Sequence, residues 1–362
     1  SGRSSDLICQ SNFEIKSHHI VTFNYKKIGH ISLPYPERDN VAVLDIGLNF
    51  NNSDNLNQKY KTYLMTKTNK KLGYSLKFDK YNNSSKNSNR ILNISGSKEL
   101  PGASIICTGA INKIAPTYQK LISSDNVIDI INQKFSEVVG CVSNYKSKKE
   151  FIKDQLNWVI DENGNGTVLL GPGLSNLTPG IRYIKDIFKI LQSKQNVKLI
   201  LDASGFLPLY KEIELLDKLP NQTIITPHYM EFSKIFDIDI NKVEEDPISV
   251  CLSVKKHFKK GKILILKGPI TIIMLYSNRD KIFKLCLLNN GTSFLANAGS
   301  GDMLSGIIAG LATNHDIKKA AIIGSYIHSE LSQIPFKTDL FDFSLESLIN
   351  HIPLIVKDYY GA

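Results

Sequence analysis

Apolar positions along the chain follow two rhythms, which alternate from Arg90 onward. Short runs without polar interruption, in RILNISGS (90–97), GTVLLGPGLS (166–175), VKLILDASG (197–205) and KILILKGPITIIML (262–275), read as strands buried on both faces. Stretches with apolar residues at every third or fourth position read as helices: GASIICTGAINKIAPTYQKLI (102–122), DIFKILQSK (186–194) and IKKAAIIGSYIHSELS (317–332). TIITPHYMEFSKIF (223–236) reads as strand, turn and helix, and Lys267-Gly268-Pro269 as the joint between two strands. Strands alternating with helices predict an α/β fold with a mainly parallel sheet covered on both faces. Ligands of such sheets bind beyond the carboxyl ends of the strands, and the small-residue turns of this chain fall there.

Ahead of Arg90 the pattern is sparser. HIVTF (19–23) and VAVLDIGL (41–48) read as two short strands separated by the proline-containing loop SLPYPERDN (32–40). Two strands cannot bury a core alone, so they must dock on something else. NFNNSDNLNQKYK (49–61) reads as a linker, and DKYNNSSKNSN (79–89) as a polar, low-complexity loop.

Composition narrows the classes. Of 362 residues, 42% are hydrophobic and 22% charged, a globular balance with enough apolar mass for a large core. The net charge of +10 permits anionic partners, but the lysines are scattered among asparagines and isoleucines, with no basic-aromatic stripe for nucleic acid. Cys9, Cys107, Cys141, Cys251 and Cys286 are odd in number and widely spaced, which argues for reduced thiols in a cytoplasmic protein. No apolar run reaches the roughly 18 residues of a membrane span, and the first residues lack a signal-peptide pattern. The sequence opens on Ser1 rather than Met, as a piece of a longer protein would.

The chemistry concentrates in NAGSGDMLSGIIAGL (297–311). A helix N-terminus carries unpaired N–H groups and partial positive charge, and Gly299, Ser300 and Gly301 let an anion approach them. Asp302, beside that anion hole, suits a base that takes a proton from a hydroxyl attacking phosphorus. The same residues would also serve as a helix cap and a tight packing point. Gly171 and Gly173 flank Pro172 at a strand end, either facing a ligand or making an ordinary turn. His228 and Glu231 follow Pro227, as site residues or as a structural histidine with a first-turn acid. Lys267, before Gly268, suits phosphate contact or solvent.

The order of these motifs resembles the ribokinase-like superfamily: Gly171-Pro172-Gly173-Leu174, Asp202-Ala203, Thr226-Pro227-His228, Lys267-Gly268, then Gly299-Ser300-Gly301-Asp302. Within it, the chain is similar to the ADP- or ATP-dependent NAD(P)H-hydrate dehydratases, from roughly Leu72 onward. ISGSKELPGAS (94–104) resembles that family's early strand and helix. SGRSSD (1–6) and the first two strands look like the end of the partner NAD(P)H-hydrate epimerase domain, so residues 1–55 are expected to be its remnant, without epimerase activity, and 56–362 the dehydratase domain.

The resemblance implies a ribokinase-like three-layer fold and a two-step reaction. A nucleotide phosphorylates the hydroxyl of hydrated NADH or NADPH, and phosphate is then eliminated to restore the dihydronicotinamide. Asp302 would be the base. Lys267, Gly268, Ala298, Gly299, Ser300 and Gly301 would hold the nucleotide. Gly102, Ala103, Gly171, Gly173, His228 and Glu231 would lie on the substrate side. Mg²⁺ would accompany ADP or ATP, its protein ligands undetermined, and the assembly would be a homo-oligomer. The chain departs from the family pattern at Asn297-Ala298, at Ser204 in place of a second aspartate, and at Met230 in place of a glycine. Two other readings stay open: a small-molecule kinase of the same superfamily, which would share the anion hole and the base, and a nucleotide-binding protein without turnover, to which those departures point.

Overall fold

The computed structural model describes residues 20–23, 41–44, 60–64, 89–142, 149–174, 178–337, 342, 344–357 and 359. Its strands, in chain order, are β1 (Ile20–Phe23), β2 (Val41–Leu44), β3 (Tyr60–Leu64), β4 (Arg90–Ile94), β5 (Tyr118–Ser123) and β6 (Val139–Val142). They continue with β7 (Gly166–Leu170), β8 (Val197–Leu201), β9 (Gln222–Ile225), β10 (Ile263–Leu266), β11 (Thr271–Ser277) and β12 (Ile282–Leu288). Helices of eight residues or more among the described residues are α1 (Pro101–Ile114), α2 (Asp125–Lys134), α3 (Lys149–Val159) and α4 (Thr178–Leu191). After them come α5 (Tyr229–Phe236), α6 (Ser300–Asn314), α7 (Ile317–Leu331) and α8 (Leu345–Val356).

Ten strands form one sheet in the order β3-β12-β11-β10-β9-β8-β7-β4-β5-β6. β11 is antiparallel to both its neighbours, and every other pair is parallel. β1 and β2 form a separate parallel pair. Along each strand the side chains alternate between two cores. Leu199 and Leu201 point into the layer that holds Phe188 of α4 and Phe232 of α5. Ile200 points the other way, among Ile111 of α1, Met303 of α6 and Ile323 of α7. The three-layer α/β arrangement expected from the apolar runs is therefore present. From β4 the chain winds to β5 and β6 on one side, and from β7 to β10 on the other. The seam between β4 and β7 is the topological switch point at which such sheets take ligands.

Three local expectations differ. The helix read over 102–122 stops at Ile114, and β5 begins at Tyr118. Pro116 disfavours helical backbone at Ala115, which is extended at φ −155°, ψ 150°. The linker read over 49–61 ends inside β3, which pairs in parallel with β12 at the sheet edge. β6, α2 and α3 were not foreseen. The loop read over 79–89 lies outside the described residues except at Asn89, as do most of residues 1–55. Among the described residues no helix is long and apolar enough to cross a membrane.

The C-terminus of α6 is tied to the sheet by Lys198 of β8, whose Nζ donates to the carbonyls of Ala312 at 2.8 Å and His315 at 2.9 Å. A cation on the last carbonyls offsets the negative end of the helix dipole. Lys198→Met is expected to lower stability by about 1–3 kcal/mol in urea titration at pH 7, without loss of secondary structure. An unchanged midpoint would show that these bonds contribute nothing net.

Candidate functional site

The turns after β4, β7, β8, β9 and β10 gather around the N-terminus of α6. After β7, Gly171 adopts φ +127°, a region that other residues rarely enter. A Cβ there would overlap the Asp202 carbonyl oxygen, so the bare residue lets the ends of β7 and β8 close together. A Cβ on Gly173 would come 2.9 Å from the Leu100 carbonyl and 3.3 Å from the Gly96 Cα. The Gly96 N–H donates to the Pro172 carbonyl at 2.8 Å, which fastens this turn to the end of β4. Both glycines serve backbone packing at the switch point. Ala103 lies against Gly173, whereas Gly102, in the same first turn of α1, is exposed with open space beside it.

β8 delivers Asp202, buried at 1% exposure, and β10 is followed at once by Lys267. Their side chains meet 65 positions apart in sequence, Nζ donating to Oδ1 at 2.9 Å. Lys267 is held from its backbone as well, in a parallel bridge with His228 and with its N–H on the Pro227 carbonyl at 2.8 Å. Burial opposes the charge of Lys267, but Asp202 and Glu231 outweigh it and hold the ammonium above its ordinary pKa. A Cβ on Gly301 would lie 3.1 Å from Nζ, so the cation sits over the first turn of α6. Gly268 receives the Tyr229 ring, into which any side chain would collide.

Gly299 is the N-cap of α6, at φ +90°. Ser300 is turned inward, 3% exposed, and its N–H is taken by the Asn297 carbonyl at 3.1 Å. Among the described residues the N–H groups of Ala298, Gly299, Gly301 and Asp302 have no protein acceptor. The donors left to an anion therefore flank Ser300 rather than include its amide. Asn297 and Ala298 are exposed.

The two acids of the site part ways. Glu231 is absorbed by a capping box: its Oε2 accepts the His228 N–H at 2.8 Å, while its own N–H donates to His228 Nδ1 at 3.3 Å. Burial lowers the His228 pKa, with Lys267 adding to the effect, so the imidazole is neutral. Burial likewise raises Glu231, against the pull of Lys267. Asp302 makes no cap; among the described residues its carboxylate accepts no hydrogen bond. Burial pushes its pKa up to about 7, Asp202 and Glu231 add to the rise, and Lys267 restrains it. An unbonded acid titrating near neutrality, beside bare amides and a fixed ammonium, can accept a proton where phosphate charge is neutralised.

Two departures from the expected motifs have local explanations. Ser204 donates its hydroxyl to the Leu174 carbonyl at 2.8 Å, a structural bond. Met230 lies in the helical first turn of α5, half exposed, with no positive φ to accommodate. Asp202 stands in the motif order, but the sequence alone assigns it no role in the site. Its signal was faint: an acid ending an apolar strand, with its partner far along the chain.

Residues 91–354 match the family model described as NAD(P)H-hydrate dehydratase. The chain is 32% identical over 188 residues to the ADP-dependent (S)-NAD(P)H-hydrate dehydratase of Streptococcus pneumoniae, covering 51% of this chain and 59% of that protein. It is 27% identical over 251 residues to the bifunctional NAD(P)H-hydrate repair enzyme of Dictyoglomus turgidum, covering 68% of this chain and 46% of that one. The chain thus spans about half the length of the curated relatives it matches. The ADP/ATP-dependent NAD(P)H-hydrate dehydratase of Bacillus subtilis, co-crystallised with ATP/Mg²⁺, has the same fold: TM-score 0.64 at 20% identity, over 82% of this chain and 98% of that one. So does a hypothetical protein of Streptococcus mutans, at TM-score 0.67 and 22% identity, over 82% and 100%.

Proposed function

As the chain belongs to the NAD(P)H-hydrate dehydratase family, we propose that it uses ADP or ATP to dehydrate hydrated NADH or NADPH back to the reduced dinucleotide. The observation that carries this reading is Asp302, whose carboxylate accepts no hydrogen bond among the described residues, beside the helix N-terminus and Lys267. In the first step Asp302 takes the proton of the substrate hydroxyl, whose oxygen bonds to the terminal phosphorus of the nucleotide. The bond from that phosphorus to the nucleotide's bridging oxygen breaks. The amides of Gly299 and Gly301 and the Lys267 ammonium face the phosphoryl oxygens as charge shifts. In the second step the ring carbon–oxygen bond breaks and phosphate leaves with the electron pair. A proton departs from the adjoining carbon, so the ring double bond returns.

Lys267 is fixed for this work by Asp202, so an incoming phosphate meets a cation already in place. His228, neutral and half exposed at the rim, and the Gly102–Ala103 turn of α1 border the side open to the dinucleotide. Among the described residues no group of three or more His, Cys, Asp or Glu side chains could hold a metal alone. A Mg²⁺ bound together with the nucleotide would supply positive charge against its phosphates. Glu231, through the carboxylate oxygen its capping bond leaves over, and Asp302 would be the acids to face it. We read residues 1–55 as part of an epimerase-like domain and 56–362 as the dehydratase domain, a division that suits relatives named as bifunctional.

Incubation with hydrated NADH, Mg²⁺ and ADP or ATP is expected to restore absorbance at 340 nm. Folded protein that restores none with either nucleotide would exclude the proposal. A phosphorylated product that persists would identify a kinase instead.

A further inference from the structure

Behind the anion-binding turn lies a contact that none of the motifs contains. His328 of α7 is buried, with Nε2 at 2.9 Å from the Ser300 carbonyl oxygen and 3.0 Å from Ser300 Oγ. A carbonyl oxygen only accepts, so Nε2 carries the proton and the tautomer is fixed. Burial brings the ring's pKa down to about 4; the Ser300 bond opposes the fall and Lys267 adds to it. The imidazole is therefore neutral near pH 7.

Ser300 is therefore committed on every side. Its N–H is on Asn297, its carbonyl on His328, and its hydroxyl against the same nitrogen. It stands between Gly299 and Gly301, whose amides are open and whose backbones have the most freedom to rotate. The end of α7 also grips the start of the loop that leads here. The Thr292 N–H donates to Ser332 Oγ and Thr292 Oγ1 to the Ser332 carbonyl, both at 3.0 Å. Asn290 Nδ2 donates to Glu330 Oε1 at 3.0 Å, and Gln333 Nε2 to the Asn290 carbonyl at 2.7 Å. The end of α7 and the two residues after it thus clasp the segment from Asn290 to Ser300 at both ends and leave Asn297 and Ala298 exposed between them.

We infer that His328 is a positioning residue: through Ser300 it aims the Gly299 and Gly301 amides at the nucleotide's terminal phosphate, and so sets nucleotide affinity rather than proton transfer. This rests on the reading of the turn as the phosphate site. A histidine that merely fills the core would be replaced equally well by any side chain of similar volume.

The test compares His328→Leu, which fills space without a donor, with His328→Gln, whose amide nitrogen reaches the place of Nε2. Calorimetry with ADP and with ATP on the unsubstituted protein comes first; if it binds neither, the phosphate reading fails and this proposal with it. Given binding, His328→Leu is expected to raise the nucleotide Kd and KM about tenfold while kcat at saturation stays within about threefold. His328→Gln should return Kd to within about threefold of the unsubstituted value, and the ratios should be equal at pH 6.5 and pH 8. Equal Kd values for Leu and Gln, or an unaltered Kd in His328→Leu, would overturn the positioning role while leaving the phosphate site standing. Should the Leu variant not fold, His328→Asn replaces it, because its shorter amide cannot reach Ser300. Tight binding by Gln with weak binding by Asn supports the role, and no difference between them overturns it.

Discussion

Asp302→Asn is expected to bind ADP or ATP with nearly unchanged affinity while losing turnover by a factor of about 10²–10⁴, the range for removal of a general base. The amide keeps the shape and the open helix amides but cannot take the proton of an attacking hydroxyl. In the parent protein the base works only when ionised. With a pKa of about 7, activity should therefore fall as pH drops through neutrality and level off above it. The stability effect has the opposite sense. A carboxyl whose folded pKa lies above its unfolded value of 3.8 binds more protons folded than unfolded between those limits. Stability is then lost as pH rises through that window, so the unsubstituted protein carries the cost in full at pH 8. The Asn variant should melt higher at pH 8, by the equivalent of roughly 1–3 kcal/mol after allowance for solvent screening, and equally near pH 4. Full turnover in this variant would remove the base assignment; equal melting at pH 8 would remove the argument from burial.

Lys267→Met should lose both stability and nucleotide binding. Met matches the length of the lysine stem but leaves Asp202, at 1% exposure, as an unpaired buried charge. Removal of one partner from such a pair costs about 3–5 kcal/mol, because the remaining ion has neither water nor counter-charge. A double variant, Lys267→Met with Asp202→Asn, should regain most of the stability but none of the phosphate affinity. That pattern separates the structural role of the pair from its role toward ligand, through the coupling energy of a double-mutant cycle. Wild-type melting together with wild-type ADP and ATP affinity in Lys267→Met would contradict both.

The parts of this molecule that could be read in advance were those whose signal is local. Parallel strands buried on both faces are continuous apolar runs, so β4, β7, β8 and β10 stood out. Gly299 to Asp302 stood out as three small residues and an acid at the head of an apolar helix, a pattern that suits an anion site or a helix cap. What escaped depended on distance or on competition. β3 is an edge strand, and its YKTYL reads as polar chain until β12 is beside it. Pro116 ended a helix whose apolar spacing ran on past it. Asp202 and Lys267 could be paired only by the ends of two strands that are neighbours of β9. His228 and Glu231, three apart across a turn, suited either a ligand or each other's backbone, and their bonds go to the backbone. His328 gave no cue at all, being a lone histidine on an apolar helix face.

β3 has a practical meaning for anyone who would shorten this protein. The match to the family begins at residue 91, yet one edge strand of the sheet comes from Tyr60–Leu64, well upstream. A fragment trimmed to the family boundary would leave one flank of β12 with its main-chain donors and acceptors bare, an open invitation to self-association. A piece that keeps β12 paired on both sides is longer than the stretch that matches the family.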